Sequence, residues 1–111
     1  MVVACATVQN NLNSEVKIVH DRLTGNNGMT LYVFDKDSYN KSNCNGKCAE
    51  NWPPLLVHDQ VIQNDYSIVI RDDGKSQLAF KGKPLYFWNK DEKPGDVKGD
   101  GFNNLWHIAK P

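Results

Sequence analysis

The side chains best equipped for chemistry here are cysteines, histidines and paired carboxylates, and their spacing decides what they can do. Cys44 and Cys48 stand in Asn43-Cys-Asn-Gly-Lys-Cys48, with three residues between the thiols. A turn or one helical pitch across that spacing brings two Cα atoms within the roughly 7 Å that a disulfide needs. Half of a zinc site is a second reading, but zinc asks for two further ligands at suitable spacing. A redox dithiol is a third, although that chemistry normally uses two intervening residues. A fourth is a pair of reduced structural thiols. The pairing of Cys44 with Cys48 therefore competes with metal, redox and inert alternatives, and a disulfide would place the chain in an oxidising compartment.

The histidines His20, His58 and His107 are scattered and form no His-x₃₋₅-His pair. With Met29 they are the available soft or imidazole ligands for haem or copper. No Cys-x-x-Cys-His attachment motif accompanies them. His107 follows Trp106, and a hydrogen-bonded or surface histidine is its ordinary role. The loop Asp91-Glu-Lys-Pro-Gly-Asp96-Val-Lys-Gly-Asp100-Gly101 offers hard oxygens, which calcium wants in sets of about six to eight. Lys93 and Lys98 interrupt them, and a solvated, turn-rich loop is the simpler reading. His20, His107, Asp96 and Asp100 stay as the candidate ligands, with no metal or cofactor expected. Asp72-Asp73 resembles an acid–base pair, but Gly74 follows it between two strand patterns, which is a hairpin turn signal. No serine sits in a Gly-x-Ser-x-Gly context, and neither Cys44 nor Cys48 neighbours a histidine. A catalytic set cannot be assembled from these parts, so a non-enzymatic role is expected.

Elements must position these groups, and one element is written twice. Gly28-Met-Thr-Leu-Tyr-Val-Phe-Asp-Lys-Asp37 recurs as Gly82-Lys-Pro-Leu-Tyr-Phe-Trp-Asn-Lys-Asp91. The same 54-residue offset carries Trp52 onto Trp106. One supersecondary unit is thus duplicated within one domain. Neither face of Leu31–Phe34 is polar, so each copy should be a central strand covered on both sides. Two such strands related by a pseudo-two-fold would form the centre of a closed barrel or small sandwich. Trp52 and Trp106 would be equivalent core plugs. Asp37 and Asp91 would end their strands and accept hydrogen bonds from loop N–H groups.

Around these, residues 15–23 read as one strand with Val16, Ile18 and His20 on one face. Thr24–Gly28 reads as a turn into a second strand over 30–34. Pro53 and Pro54 stop any helical turn begun near Lys47. Leu55–Val57 reads as a short edge strand. The second half reads as strands over 66–70, 77–80, 85–88 and 105–108, with turns at 71–75 and 81–84. No segment keeps a 3.6-residue period over ten residues. The expectation is an all-β domain of about seven or eight strands with minor helix. Residues 1–14 form a flexible tether, repeat 1 spans about 15–57, and repeat 2 spans about 66–111.

A chain of 111 residues with 13 basic and 13 acidic side chains has no excess charge to suggest nucleic acid or a cation store. No apolar stretch approaches the roughly 18 residues of a membrane helix. The run Val2-Val3-Ala4-Cys5 has the residues that precede a lipoprotein cleavage, without the charged start and about 7–15 apolar residues of a whole leader. Cys5 is thus either a lipidation site or a free thiol.

Both Tyr32-Val-Phe34-Asp-Lys-Asp37 and Tyr86-Phe-Trp88-Asn-Lys-Asp91 fit Tyr-x-(Phe/Trp/Tyr)-x-x-Asp, and Cys44-Asn-Gly46-Lys-Cys48-Ala-Glu-Asn-Trp52-Pro53-Pro54 stands between them. Arg71-Asp-Asp-Gly74, Pro94-Gly95-Asp96 and Gly99-Asp-Gly101 complete the order. The chain closely resembles the bacterial secreted-repeat lipoprotein family of unknown function, over roughly residues 15–111. That resemblance implies lipidation at Cys5, a Cys44–Cys48 disulfide and a place in the periplasm or on the outer surface of a bacterial membrane. It carries over no catalytic residue. The resulting expectation is a lipid-anchored envelope module that binds a protein, glycan or small ligand through loops 36–50 and 91–104. Tyr39 and Phe102 are its candidate contacts, and it needs no nucleic acid. The alternatives are a metal or haem carrier in envelope redox chemistry and, further off, a small hydrolase.

Overall fold

A computed structural model describes residues 16–58 and 64–111. Cys5 and the 1–14 tether lie outside the described residues. Seven strands and little helix make the described chain all-β: β1 (Val16–Val19), β2 (Arg22–Gly25), β3 (Tyr32–Phe34), β4 (Tyr66–Ile70), β5 (Ser76–Phe80), β6 (Lys83–Pro84) and β7 (Trp106–Ile108). They form three small antiparallel sheets, ordered β1-β2, β3-β7 and β4-β5-β6. The barrel does not close, and the single compact domain is sandwich-like. Among the described residues the one α-helix, α1 (Lys47–Asn51), is stopped as expected before Pro53 and Pro54, with Trp52 as its C-cap.

The doubled motif lies at the centre. Tyr32 N–H donates to Tyr86 O at 2.8 Å, and Tyr86 N–H donates to Tyr32 O at 3.0 Å. The two copies therefore pair with each other, antiparallel, about a local pseudo-two-fold between these tyrosines. Strand alternation then divides each Leu-Tyr dipeptide. Leu31 and Leu85 enter an aliphatic cluster with Val16, Leu23, Leu55, Val57, Leu78 and Ala109. Tyr32 and Tyr86 enter an aromatic cluster with Trp52, Trp88, Trp106 and Cys44. All four are fully buried, which is why neither face of the motif is polar.

Three local expectations are corrected. Residues 15–23 are not one strand, because the chain reverses at His20 and Asp21, both at positive φ (50° and 63°). Positive φ at both central residues suits the right-handed twist of a two-residue hairpin. The reversal lets Leu23 reach the core while Ile18 stays 63% exposed, and His20 lies in the turn instead of sharing a strand face with Val16 and Ile18. Secondly, the turn in the second half is confined to Lys81-Gly82, and Lys83–Pro84 already pairs with β5. Beyond it, the second motif copy makes single bridges from Tyr86 to Tyr32 and Pro54 instead of a regular strand over 85–88. Thirdly, 54–57 contributes only isolated bridges, Pro54 to Tyr86 and Leu56 to Gln77. The β4–β5 hairpin turns through Asp72-Asp73-Gly74, with Gly74 N–H on Arg71 O and Lys75 N–H on Asp73 Oδ1.

Candidate functional site

Each motif tyrosine reaches across the pseudo-two-fold to the aspartate of the other copy. Tyr32 OH donates to Asp91 Oδ2 at 2.7 Å, and Tyr86 OH donates to Asp37 Oδ2 at 2.7 Å. The second oxygen of each aspartate takes a loop N–H, Asn43 on Asp37 at 2.7 Å and Lys98 on Asp91 at 3.0 Å. The aspartates brace loops, and in addition they tie the repeats together. Burial pushes both tyrosine hydroxyls well above their usual range, Tyr32 with further help from the Asp91 hydrogen bond and Tyr86 from Asp37. They stay protonated donors at neutral pH.

The aromatic layer repeats this symmetry. Phe34 stacks on Trp106 (4.1 Å between ring centroids), Trp106 on Trp52 (3.7 Å, planes 1° apart) and Trp52 on Trp88 (4.0 Å). Reading that column backwards exchanges the copies, so the dyad passes between the two buried tryptophans. Tyr32 meets Trp52 edge-on at 5.4 Å and Tyr86 meets Trp106 edge-on at 5.1 Å. Gly99 is needed beside this column: a Cβ there would sit 2.7 Å from the Trp52 ring. Its N–H donates to Tyr32 OH at 3.2 Å.

Arg71 breaks the symmetry. It is only 4% exposed. Its guanidinium donates to Ser42 Oγ at 3.0 Å, Gln77 Oε1 at 2.8 Å and Cys44 O at 2.6 Å. Ser42 Oγ lies 2.6 Å from Tyr86 OH. Tyr86 gives its one proton to Asp37, so Ser42 donates to Tyr86 while accepting from Arg71. Asp37 is raised above the usual carboxylate range by burial, against the pull of Asn43 N–H, Tyr86 OH and the Arg71 charge. The Cys44–Cys48 disulfide, with Cα atoms 5.2 Å apart, closes the loop that presents Cys44 O to Arg71. From sequence Arg71 reads as a turn residue, and its place at the end of β4 gives no signal of burial.

The candidate ligands are not gathered. His20 is in the β1–β2 turn. His107 lies in β7, opposite Val33, and its Nε2 is 2.7 Å from Asp35 Oδ2. Asp96 accepts from Glu92 and Lys93 N–H groups, which lower its carboxyl, the Glu92 bond most. Asp100 accepts from Ile108 N–H. Among the described residues no three His, Cys, Asp or Glu side chains converge on a metal-sized point. Phe102, 41% exposed, rests its ring on Trp88 and Trp52.

Tyr39 belongs to a groove. Extending the Tyr32–Tyr86 pairing sets Phe34 opposite Pro84, which has no N–H to continue the ladder. The copies part there and leave an open groove of about 270 Å³, lined by Val33, Phe34, Asp35, Ser38, Tyr39 and Pro84 among others. A second hollow of about 250 Å³ continues it past Val33, Asp35 and Lys83 to His107 and Lys110. Gly82, at φ 81°, lies against the Tyr39 ring with no room for a Cβ.

At the other end of the dyad, Gly28 (φ 84°) is covered by Pro94, and Thr30 Oγ1 donates to Asp96 O at 2.8 Å. There the 92–96 loop packs over the position equivalent to Pro84.

The family model described as a secreted repeat of unknown function matches the chain twice, over residues 21–56 and 67–110. Neither the curated proteins nor the solved structures contain a match.

Proposed function

The chain belongs to the family of secreted repeats of unknown function, and from that premise we propose that it is a non-enzymatic binding module of the bacterial cell envelope. The observation that carries this reading is the division of labour around the dyad. The motif tyrosines, aspartates and tryptophans are spent on one another, while the groove at Pro84 is open and holds side chains the fold does not use. Loop 36–50 meets the groove through Ser38 and Tyr39. In this reading the module hangs from a lipid on Cys5, with the segment from Cys5 to residue 14 as its leash, on the periplasmic or outer face of a membrane.

Amide chemical-shift mapping of the full chain against separate sets of amino acids, short peptides, glycosides and lipid headgroups tests the binding reading. Shifts should cluster at Val33, Asp35, Ser38, Tyr39 and Gly82. Shifts confined to other surfaces, or none with any set, would overturn it. Mass spectrometry of protein extracted from bacterial membranes tests the anchor, and an unmodified Cys5 ends that part of the reading.

A further inference from the structure

We propose that the groove between Phe34 and Pro84 is a saccharide site that stacks one pyranose ring on Tyr39. The proposal rests on the binding reading above and names its ligand class. Tyr39 is 79% exposed, yet its ring is seated on the Gly82 backbone, and Asn40 N–H holds Gly82 O at 2.8 Å. The platform is therefore fixed, and its outer face is open. A rigid aromatic supplies contact area at little conformational cost.

The polar groups around the platform are mixed. Asp35 gives one oxygen to His107, which leaves the other as an acceptor. Lys83 and the Ser38 hydroxyl have no side-chain partner among the described residues, so they supply an ammonium donor and a group that both donates and accepts. Lys81 lies over the Phe80 ring at 5.2 Å, and both Asp37 oxygens are taken by Tyr86 and Asn43. Among the described residues Lys81 and Lys83 face the space with Asp35 and Asp37, so its charge is balanced. An ionic ligand would find no dominant opposite charge, and a purely apolar one would strand Asp35, Lys83 and Ser38 unpaired. A pyranose has an apolar C–H face for Tyr39 and a rim of hydroxyls for these three groups. The groove, at about 270 Å³, is slightly below the usual range for drug-sized ligands, which suits a single sugar ring.

The test is saturation-transfer NMR on the full chain with methyl pyranosides of the gluco, galacto, manno and N-acetylglucosamine series, each at ~10 mM, where even a ~1 mM site is nearly filled. Saturation should concentrate on ring protons of one sugar face, with amide shifts at Ser38, Tyr39 and Gly82. Tyr39→Ala should weaken binding about tenfold or more, Tyr39→Phe should keep it because stacking needs no hydroxyl, and Phe102→Ala should leave it unchanged. Absence of transfer to every glycoside, or transfer that survives Tyr39→Ala, overturns the saccharide assignment. Groove shifts with amino acids or peptides alone would sink the saccharide class and leave the binding reading standing. Silence from every ligand set removes both.

Discussion

The two halves share a motif but treat it differently. In both, a tyrosine hydroxyl crosses to the opposite aspartate and a tryptophan stacks on its counterpart. Around Asp91 the remaining work is done by backbone: Gly99 N–H on Tyr32 and Lys98 N–H on Asp91. Around Asp37 it is done by side chains, Ser42 and the buried Arg71, with a disulfide holding the loop. Beyond the cross, Pro94 and Asp96 close over one end of the dyad, and Pro84 leaves the other end open. The lesson is that duplication supplied a symmetric core, and the differences between the copies created a groove with unspent chemistry.

The largest effect should come from the shared part. Trp52→Ala and Trp106→Ala should each cost about 3–5 kcal/mol in denaturant unfolding. The rings stack on each other, so the double variant should cost clearly less than the sum. Additive costs would mean that the column is two independent contacts.

Arg71→Ala should come next. It strands Ser42, Gln77 and Cys44 O in the interior, at about 1–3 kcal/mol for each group left unsatisfied, offset where water enters. Counting along the first hairpins from the matched leucines, Leu23 paired with Ile18 and Leu78 paired with Ile68, puts the exposed turn residue Asp21 where repeat 2 carries Arg71. Asp21→Asn should stay within about 0.5 kcal/mol, and similar costs at the two positions would erase the asymmetry.

Titration sharpens the comparison further. Both motif tyrosines are raised in the folded state, so the folded chain holds their protons more tightly than the unfolded chain does. Their contribution is intact below the unfolded tyrosine value of about 10 and is lost as pH climbs above it. Stability should fall steeply above about pH 10, and less steeply in Tyr32→Phe and Tyr86→Phe. Asp37 is raised too, so its contribution grows as pH falls through the carboxylate range near 4. Asp37→Asn should remove that gain, read as a Tm that falls further relative to wild type as pH drops through that range.

The smallest effect on stability should be at the groove. Tyr39→Ala removes an exposed ring and should shift unfolding by no more than about 0.5 kcal/mol. A large loss would make Tyr39 a structural strap instead of a platform.

Much of the symmetric core was legible in the sequence. The apolar character of both faces of Leu31–Phe34 foretold a strand covered on both sides, and the common offset of Trp52 and Trp106 foretold their equivalence. The exchange of tyrosines between aspartates was not legible, because it depends on the two copies pairing antiparallel at Tyr32 and Tyr86, a contact 54 residues apart. The hairpin at His20–Asp21 was hidden because no glycine marks it, and β-branched residues on both sides imitate one long strand. Arg71 was hidden because charge predicts exposure, and only acceptors assembled from the 42–44 loop and β5 repay its burial. The groove was hidden because Pro84 reads as a turn residue until its opposite, Phe34, is known.

The most direct test of the account is a set of double-mutant cycles on Tyr32→Phe, Tyr86→Phe, Asp37→Asn and Asp91→Asn, measured by equilibrium unfolding. The account predicts coupling of about 1–3 kcal/mol for the pairs Tyr32–Asp91 and Tyr86–Asp37. For Tyr32–Asp37 and Tyr86–Asp91, the pairs within one motif copy, it predicts coupling near zero. Coupling within the copies, or none across them, would contradict the crossed lock on which the assignment of the motif to structure and of the groove to function depends.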